Sequence, residues 1–243
     1  MREFIKKALI GTVILLLFVA VFWKTLTATA FWGLAMYQTK DLNSTKITPN
    51  QELTLPTATS TASSTVYGSV QIPHLFERTD VLPAPDRVRI VFSDKDSNAY
   101  YLISTLGPYK DNFLAGHADK TPTEITSFCR TLTNTFTTNP CQSDRFFLTT
   151  TMEVSNKTAG LFSSHQRKNA AATFLLVKTV YVPGSATSIT PFQTAAISGH
   201  IAYDPMDSIA YFFDNNETGY EIVFVHMNQT EIEAILASIT NDV

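Results

Sequence analysis

The sequence is short of charge. Only 16% of its 243 residues are Asp, Glu, Lys or Arg, well below the quarter that is usual in globular proteins. Acidic residues outnumber basic ones by 21 to 18, and the pI is about 5.9. Because a nucleic-acid-binding protein needs a basic surface to neutralise phosphates, the composition argues against that class.

Glycine and cysteine are also few. Nine glycines exclude a collagen-like chain, and two cysteines exclude a disulfide-dense scaffold. The 17 Phe and 9 Tyr residues, together with long aliphatic runs, exclude disorder over the whole length. The chain is long enough to form one sizeable domain with a hydrophobic core.

The longest hydrophobic run lies at the N-terminus. Three basic residues within the first seven precede an apolar stretch from Ala8 to Trp23, and a mostly apolar stretch continues to Met36. We predict a single-pass signal anchor over residues 1–38; the alternative is a signal peptide cleaved after Ala28-Thr29-Ala30. Both interpretations place the rest of the chain outside the cytoplasm, because basic residues stay inside.

The expected location is therefore the inner (plasma) membrane, with the N-terminus in the cytoplasm and the main domain in the periplasm or outside the cell. Residues 39–66 contain an uncharged Thr/Ser-rich stretch that cannot bury enough apolar surface to fold. We predict a flexible stalk there and an extracytoplasmic domain over residues 67–243.

Cys129 and Cys141 both lie in the part predicted to be exported. A disulfide is the expected state of two cysteines in an oxidising compartment. A helix ending shortly after Cys129 would allow the following loop to bring Cys141 back beside it. We therefore predict a Cys129–Cys141 disulfide.

Residues 67–243 carry patterns of strands, turns and two helices. Alternating side chains over 87–93 and 99–105 predict a β-hairpin. Capping boxes predict helices that begin after Thr121 and Asn228, each followed by apolar residues at helical spacing. Further strands are predicted at residues 145–154, 171–182, 192–203, 208–214 and 220–227.

These elements predict an α+β fold, with a mostly antiparallel sheet of about seven strands and two helices packed on it. Strands and crossover helices do not alternate, which disfavours a doubly wound parallel sheet. Residues 123–134 and 230–241 align without gaps. They suggest two ββα repeats related by a pseudo-twofold axis; the alternative is two unrelated capped helices of similar sequence.

Metal and cofactor motifs are absent from the sequence, and we expect no cofactor. Asp94, Asp96 and Asn98 alternate as in the first part of a calcium loop. Ala99 stands where such a loop needs glycine, so a plain hairpin turn is the preferred interpretation. The three residues are a weak candidate for a metal site.

A second weak candidate is catalytic. His200 follows Ser198 by two residues and precedes Asp204 and Asp207, which supplies residue types for nucleophilic or acid–base chemistry. The sequence contains no nucleophile elbow of the G-x-S-x-G type. A surface histidine is therefore the simpler interpretation.

Acidic residues dominate the last third of the chain. From Tyr67 onward there are 12 Lys or Arg and 18 Asp or Glu, and the last basic residue is Lys178. Such a surface would attract a basic partner. The candidate partner-binding residues are Asp214, Glu217, Glu221, Glu231 and Glu233.

These observations favour a membrane-anchored, non-enzymatic binding module outside the cytoplasm. It would recognise a protein partner, such as an envelope assembly component or a neutralised toxin, through the acidic C-terminal surface. The alternative is an anchored hydrolase or transferase that uses His200 with Asp204 or Asp207.

Overall fold

A computed structural model describes most of the chain: residues 19, 22–44, 46–47, 53–55, 64–73, 77–83, 88–93, 98–116, 121–155, 157–160 and 163–241. The fold is α+β. Its centre is a mixed sheet that has helices on one face and a smaller sheet with one helix on the other.

Seven strands of six to eight residues form the body of the large sheet, and each pairs antiparallel with its neighbours. Their order across the sheet is β8-β9-β10-β11-β7-β6-β5. They are β5 (Glu77–Pro83), β6 (Val88–Ser93), β7 (Tyr100–Thr105), β8 (Ser188–Gln193), β9 (Ile197–Tyr203), β10 (Asp207–Asp214) and β11 (Gly219–Val225).

Two-residue strands complete the β8 edge. Strands β1 (Lys46–Ile47) and β2 (Leu53–Thr54) both pair parallel with β8. They satisfy backbone groups that an edge strand otherwise leaves open. The second sheet has the order β12-β4-β3 and is formed by β3 (Ser64–Tyr67), β4 (Val70–Pro73) and β12 (Thr240–Asn241).

Six α-helices lie in the described residues. They are α1 (22–38), α2 (Tyr109–Ala115), α3 (Pro122–Thr135), α4 (Asp144–Glu153), α5 (His165–Tyr181) and α6 (Gln229–Ser238). A 3₁₀ helix, Lys40–Ser44, follows α1.

The large sheet separates two hydrophobic cores. We call the core that contains α6 and the small sheet the small-sheet core, and the core that contains side chains of α1 to α5 the helix-side core. Strand β10 serves both, because Ala210 and Phe212 point to the first core and Tyr211 and Phe213 to the second.

Several local predictions are confirmed. Strands β6 and β7 form the predicted hairpin. Helices α3 and α6 begin with complete capping boxes at Thr121 and Asn228. The structure joins Cys129 in α3 to Cys141 in the turn before α4, as predicted.

The predicted strands at 145–154 and 171–182 are wrong, because these residues belong to α4 and α5. Threonine and aromatic residues in both segments gave them a β-like composition. The helix signals were the serines that precede them: Ser143 accepts a hydrogen bond from the N–H of Phe146, and Ser164 accepts one from Arg167. The fold therefore has more helices than the two predicted.

The predicted strand at 192–203 is two strands. The Thr194 hydroxyl accepts hydrogen bonds from the N–H groups of Ala196 and Ile197, both at 3.1 Å. This side-chain turn closes the hairpin between β8 and β9.

The predicted pair of ββα repeats is wrong. Strands β7 and β11 are antiparallel neighbours, so a twofold axis relating the two hairpins must stand perpendicular to the sheet. That operation keeps both following helices on one face. Instead Leu132 of α3 lies in the helix-side core, whereas Ile232 and Ile235 of α6 lie in the small-sheet core.

The predicted stalk and anchor also need correction where they are described. Strands β1, β2 and part of β3 lie within 39–66 and pair with the sheets, while residues 56–63 lie outside the described residues. Helix α1 contributes Ala35 to the helix-side core. Among the described residues, no helix combines the length and apolarity needed to cross a bilayer.

The disulfide gives a first prediction. Replacing both Cys129 and Cys141 with serine should lower the free energy of unfolding by about 3 kcal/mol, because the bond closes a short loop in the unfolded chain. Denaturant unfolding followed by circular dichroism measures the change. Reduced wild-type protein is the control and should match the double variant; equal stability of the oxidised protein and the double variant would contradict the prediction.

Candidate functional site

A polar row along α4 forms one side of the candidate site. Arg145, Thr149 and Glu153 are separated by four residues each, which places them along one face of the helix. Their neighbours Phe147 and Leu148 are buried in the helix-side core. The polar row therefore lies at the border between the helix and the sheet, where it lines a cleft.

Strand β9 forms the opposite side. Ser198 and His200 point toward α4, since side chains two residues apart share a face of a strand. Gly199 between them has no room for a side chain, because a Cβ atom there would lie 2.6 Å from the Cα of Phe212 on β10. The glycine allows the two strands to pair closely under the site.

Together these elements border a cleft of about 290 Å³. Tyr211 and Phe213 of β10 and Pro191 and Phe192 of β8 supply its apolar lining. The volume lies at the lower limit for ligand pockets. It suits a single side chain or a short segment better than a large cofactor.

The Arg145 guanidinium is fixed by contacts on several sides. Nη1 donates to Ser198 Oγ at 3.2 Å, and Nη2 donates to the carbonyl oxygen of Asp214 at 3.0 Å. Nε lies 3.1 Å from Glu217 Oε2, and the group stands 5.4 Å from the centre of the Phe213 ring. Glu217 therefore offsets the charge of Arg145.

The other end of the cleft holds a histidine–carboxylate pair. His200 Nε2 lies 3.4 Å from Glu153 Oε1, and this is the one hydrogen-bond contact of the His200 ring among the described residues. The side chain of His200 is 11% exposed and that of Glu153 is 29% exposed. Glu153 is thus the open carboxylate of the cleft.

Lys178 of α5 lies buried beside the end of α4. Its Nζ donates to the carbonyl oxygens of Met152 and Val154 at 2.6 and 2.9 Å. Burial lowers the pKa of Lys178 to about 7, against the opposing effect of the Glu153 carboxylate. A neutral amine has two N–H donors, which matches the two carbonyl acceptors.

Ser198 and His200 share a face of β9 but do not form a nucleophile–base pair. Ser198 is hydrogen-bonded to Arg145, and the contacts of His200 do not include Ser198. A serine nucleophile needs its base within hydrogen-bond reach. The His200–Glu153 pair can still exchange a proton with a bound group.

The carboxylates predicted to assist His200 lie elsewhere. Asp204 is four residues beyond His200, about 13 Å along an extended chain. Its Oδ1 accepts hydrogen bonds from the N–H groups of Met206 and Asp207 in the β9–β10 turn. Burial favours a higher pKa for Asp204, but hydrogen bonds from Ser185 and these N–H groups outweigh it and lower the pKa.

Two of the predicted partner-binding residues have structural contacts near the cleft. Asp214 is 1% exposed, and its carboxylate accepts hydrogen bonds from the Ser69 hydroxyl and the N–H groups of Asn216 and Thr218. It shapes the β10–β11 turn. Glu217 lies in the same turn and borders the cleft through Arg145.

The other three lie apart. Glu231 completes the capping box of α6, and Glu233 accepts a hydrogen bond from the Tyr203 hydroxyl at 3.0 Å. Glu221 lies on the helix side of the sheet, opposite to α6, because it pairs with Tyr211 in the register of β10 and β11. The structure does not bring the five carboxylates onto one surface.

The weak metal candidate is only partly described. Asp94 and Asp96 lie outside the described residues, and Asn98 is exposed in the connection between β6 and β7. Within the described ranges, no group of three or more His, Cys, Asp or Glu side chains could hold a metal ion.

Arg145 and Glu153 were missed as site residues because their segment was assigned to a strand. In a strand, positions 145, 149 and 153 also share a face, but they span a much longer distance. The N-cap serine at 143 together with the spacing of four residues was the available signal for a compact polar row.

Comparison of the chain with protein-family models, with curated proteins and with solved structures finds no significant match.

Lys178 gives a prediction on pH. Its pKa is about 7 in the folded protein and 10.5 in an unfolded chain. The unfolded state binds more protons in between, so the free energy of unfolding should rise with pH from 7 toward 10.5. The slope is at most about 1.4 kcal/mol per pH unit.

Denaturant unfolding between pH 7 and 8.5 measures this slope in a range where tyrosine, with an ordinary pKa of about 10, stays almost fully protonated. The variant Lys178→Met is the matched control and should lose most of the pH dependence, since methionine fills the space without titrating. An equal slope in both proteins would show that Lys178 is not the source.

Proposed function

We propose that the chain is a membrane-tethered, non-enzymatic binding module of the extracytoplasmic space. Its site is the cleft between α4 and β9, and its ligand is a protein partner that inserts a basic side chain. The tether is the basic and apolar sequence of residues 1–21. The disulfide of Cys129 and Cys141 is typical of oxidising compartments and supports this location.

The observation that carries the proposal is the unequal charge balance of the cleft. Arg145 is offset by Glu217 and bonded to Ser198. Among the described residues, the ion-pair partner of Glu153 is His200 at 3.4 Å, and the nearby Lys178 has a pKa that burial lowers to about 7. A lysine or arginine of a partner would find an open acceptor in Glu153.

The surroundings of Glu153 favour such a side chain. Met152, Tyr211 and Phe213 line the same cleft and can cover the aliphatic part of a long basic residue. Partial exclusion of water strengthens the attraction between the charges. The acidic partner surface proposed from the sequence is thereby moved to the cleft, with Glu217 at its border and Glu231 and Glu233 outside it.

Site-specific cross-linking tests this proposal. A photoreactive residue in place of Thr149 should capture one partner in native membranes, whereas the same residue in place of the exposed Val180 on α5 should not. Glu153→Gln should weaken capture at least about tenfold, because it removes the charge of the acceptor. Glu233→Gln, outside the cleft, is the matched control and should capture normally.

Mapping of the cross-linked peptide identifies the partner segment, which should contain Lys or Arg. Capture that does not depend on Glu153, or that is lost equally in Glu233→Gln, would refute the cleft as the binding site.

The second candidate function is that of an anchored hydrolase or transferase. It is favoured by one observation: His200 and a carboxylate do meet in a cleft, although the carboxylate is Glu153 and not Asp204 or Asp207. In that case His200→Gln should abolish turnover of ester or peptide probes and leave partner capture intact. If the wild-type protein turns over none of these probes, the hydrolase or transferase proposal is rejected and the binding proposal remains.

A further inference from the structure

Helix α1 has two apolar faces, and only one of them packs on the domain. Ala28 and Ala35 are 1% and 0% exposed. Thr29 on the same side accepts a hydrogen bond from Lys168 Nζ of α5 at 2.9 Å. Phe31 and Trp32 are partly buried, and Trp32 packs against the helix-side core.

The opposite face is apolar and exposed. Trp23, Leu26, Leu34 and Tyr37 are 59%, 44%, 51% and 69% exposed. The exposed Ala30 lies between them. Successive residues of this set of five are three or four positions apart, which places all five along one line of the helix. We call this line the outer stripe.

The outer stripe stands apart from the rest of the described surface. Among all the described residues, eight large hydrophobic side chains are exposed, and five of these eight belong to α1. Single exposed hydrophobic residues are normal in proteins, but a contiguous row marks an interaction surface. The buried face fixes the rotation of the helix, so the outer stripe must point away from the domain.

The residues around the outer stripe indicate the chemistry of what covers it. Exposed Lys24 follows Trp23 in the first turn of α1, and exposed Lys40 follows the end of the helix, where its Nζ lies 5.5 Å from the centre of the Tyr37 ring. Residues 22–40 contain no Asp or Glu. Tryptophan, tyrosine and lysine beside leucine are the composition of helices that lie in the interface of an anionic membrane.

The sequence before α1 points in the same direction. The apolar run that begins at Ala8 continues directly into the helix, and the first 40 residues contain five Lys or Arg and one Glu. The rest of the chain carries more acidic than basic residues. The end of the molecule that bears the outer stripe is therefore the end that complements anionic lipid headgroups.

We propose that the outer stripe of α1 lies in the headgroup region of an anionic bilayer and holds the folded domain against the membrane surface. The helix is then shared, with its inner face in the protein core and its outer face in lipid. This inference rests on the proposed tether for its location and adds a contact that a tether alone does not require.

Fluorescent labelling of the full chain tests the proposal. Both native cysteines form the disulfide, so Leu34→Cys provides a single thiol for an environment-sensitive dye. Val180→Cys, exposed on α5 and outside α1, is the matched control. The probes are phosphatidylcholine vesicles with and without phosphatidylglycerol.

With anionic vesicles, the emission at position 34 should shift to the blue and be quenched by lipids spin-labelled near the headgroup. The dye at position 180 should stay in water. Lys24→Gln and Lys40→Gln should each weaken binding to the anionic vesicles about fivefold, which is the effect of one basic residue near such a surface.

Three results would overturn the inference. If the chain sediments with vesicles while the dye at position 34 stays in water, the tether holds but the outer stripe does not contact lipid. If the chain neither sediments nor shifts, both proposals fail. If the dye is protected without vesicles and the molecular mass doubles, the outer stripe joins two copies of the chain.

Discussion

Burial of the large sheet on both faces is the constraint on which the structure depends. Strand β10 places Ala210 and Phe212 in one core and Tyr211 and Phe213 in the other. A sheet that is apolar on both sides needs a layer on each. Helices α1 to α5 provide one layer, and α6 with the small sheet provides the second. The candidate site exists because α4 belongs to the first of these layers.

The cleft forms where a helix and a strand of different periodicity meet. Helix α4 presents a polar side chain every four residues, while β9 presents one every two. Arg145 meets Ser198 at one end, and Glu153 meets His200 at the other. Buried Lys178 of α5 donates hydrogen bonds to two carbonyl oxygens at the C-terminal end of α4. Polar groups are thus concentrated at a border where α4 and the sheet do not close completely.

The N-terminal segment shows how one composition can serve two environments. Small residues, Ala28 and Ala35, allow α1 to approach the domain closely, while Trp23, Leu34 and Tyr37 remain outside. An apolar run without a polar face suggests a membrane span when it is read along the sequence. Once one side of the helix is packed on protein, the same residues become a one-sided hydrophobic surface.

The sequence by itself determined the α+β class, the capped starts of α3 and α6, the hairpin of β6 and β7 and the Cys129–Cys141 bond, because each depends on neighbours in the chain. Only the tertiary structure decided that residues 145–153 and 165–181 are helical, since burial on the sheet outweighs the β propensity of their threonines and aromatics. It also decided which carboxylate meets His200. Glu153 lies 47 residues away along the chain, and local patterns carry no information on such a pairing, which arises only when two layers pack.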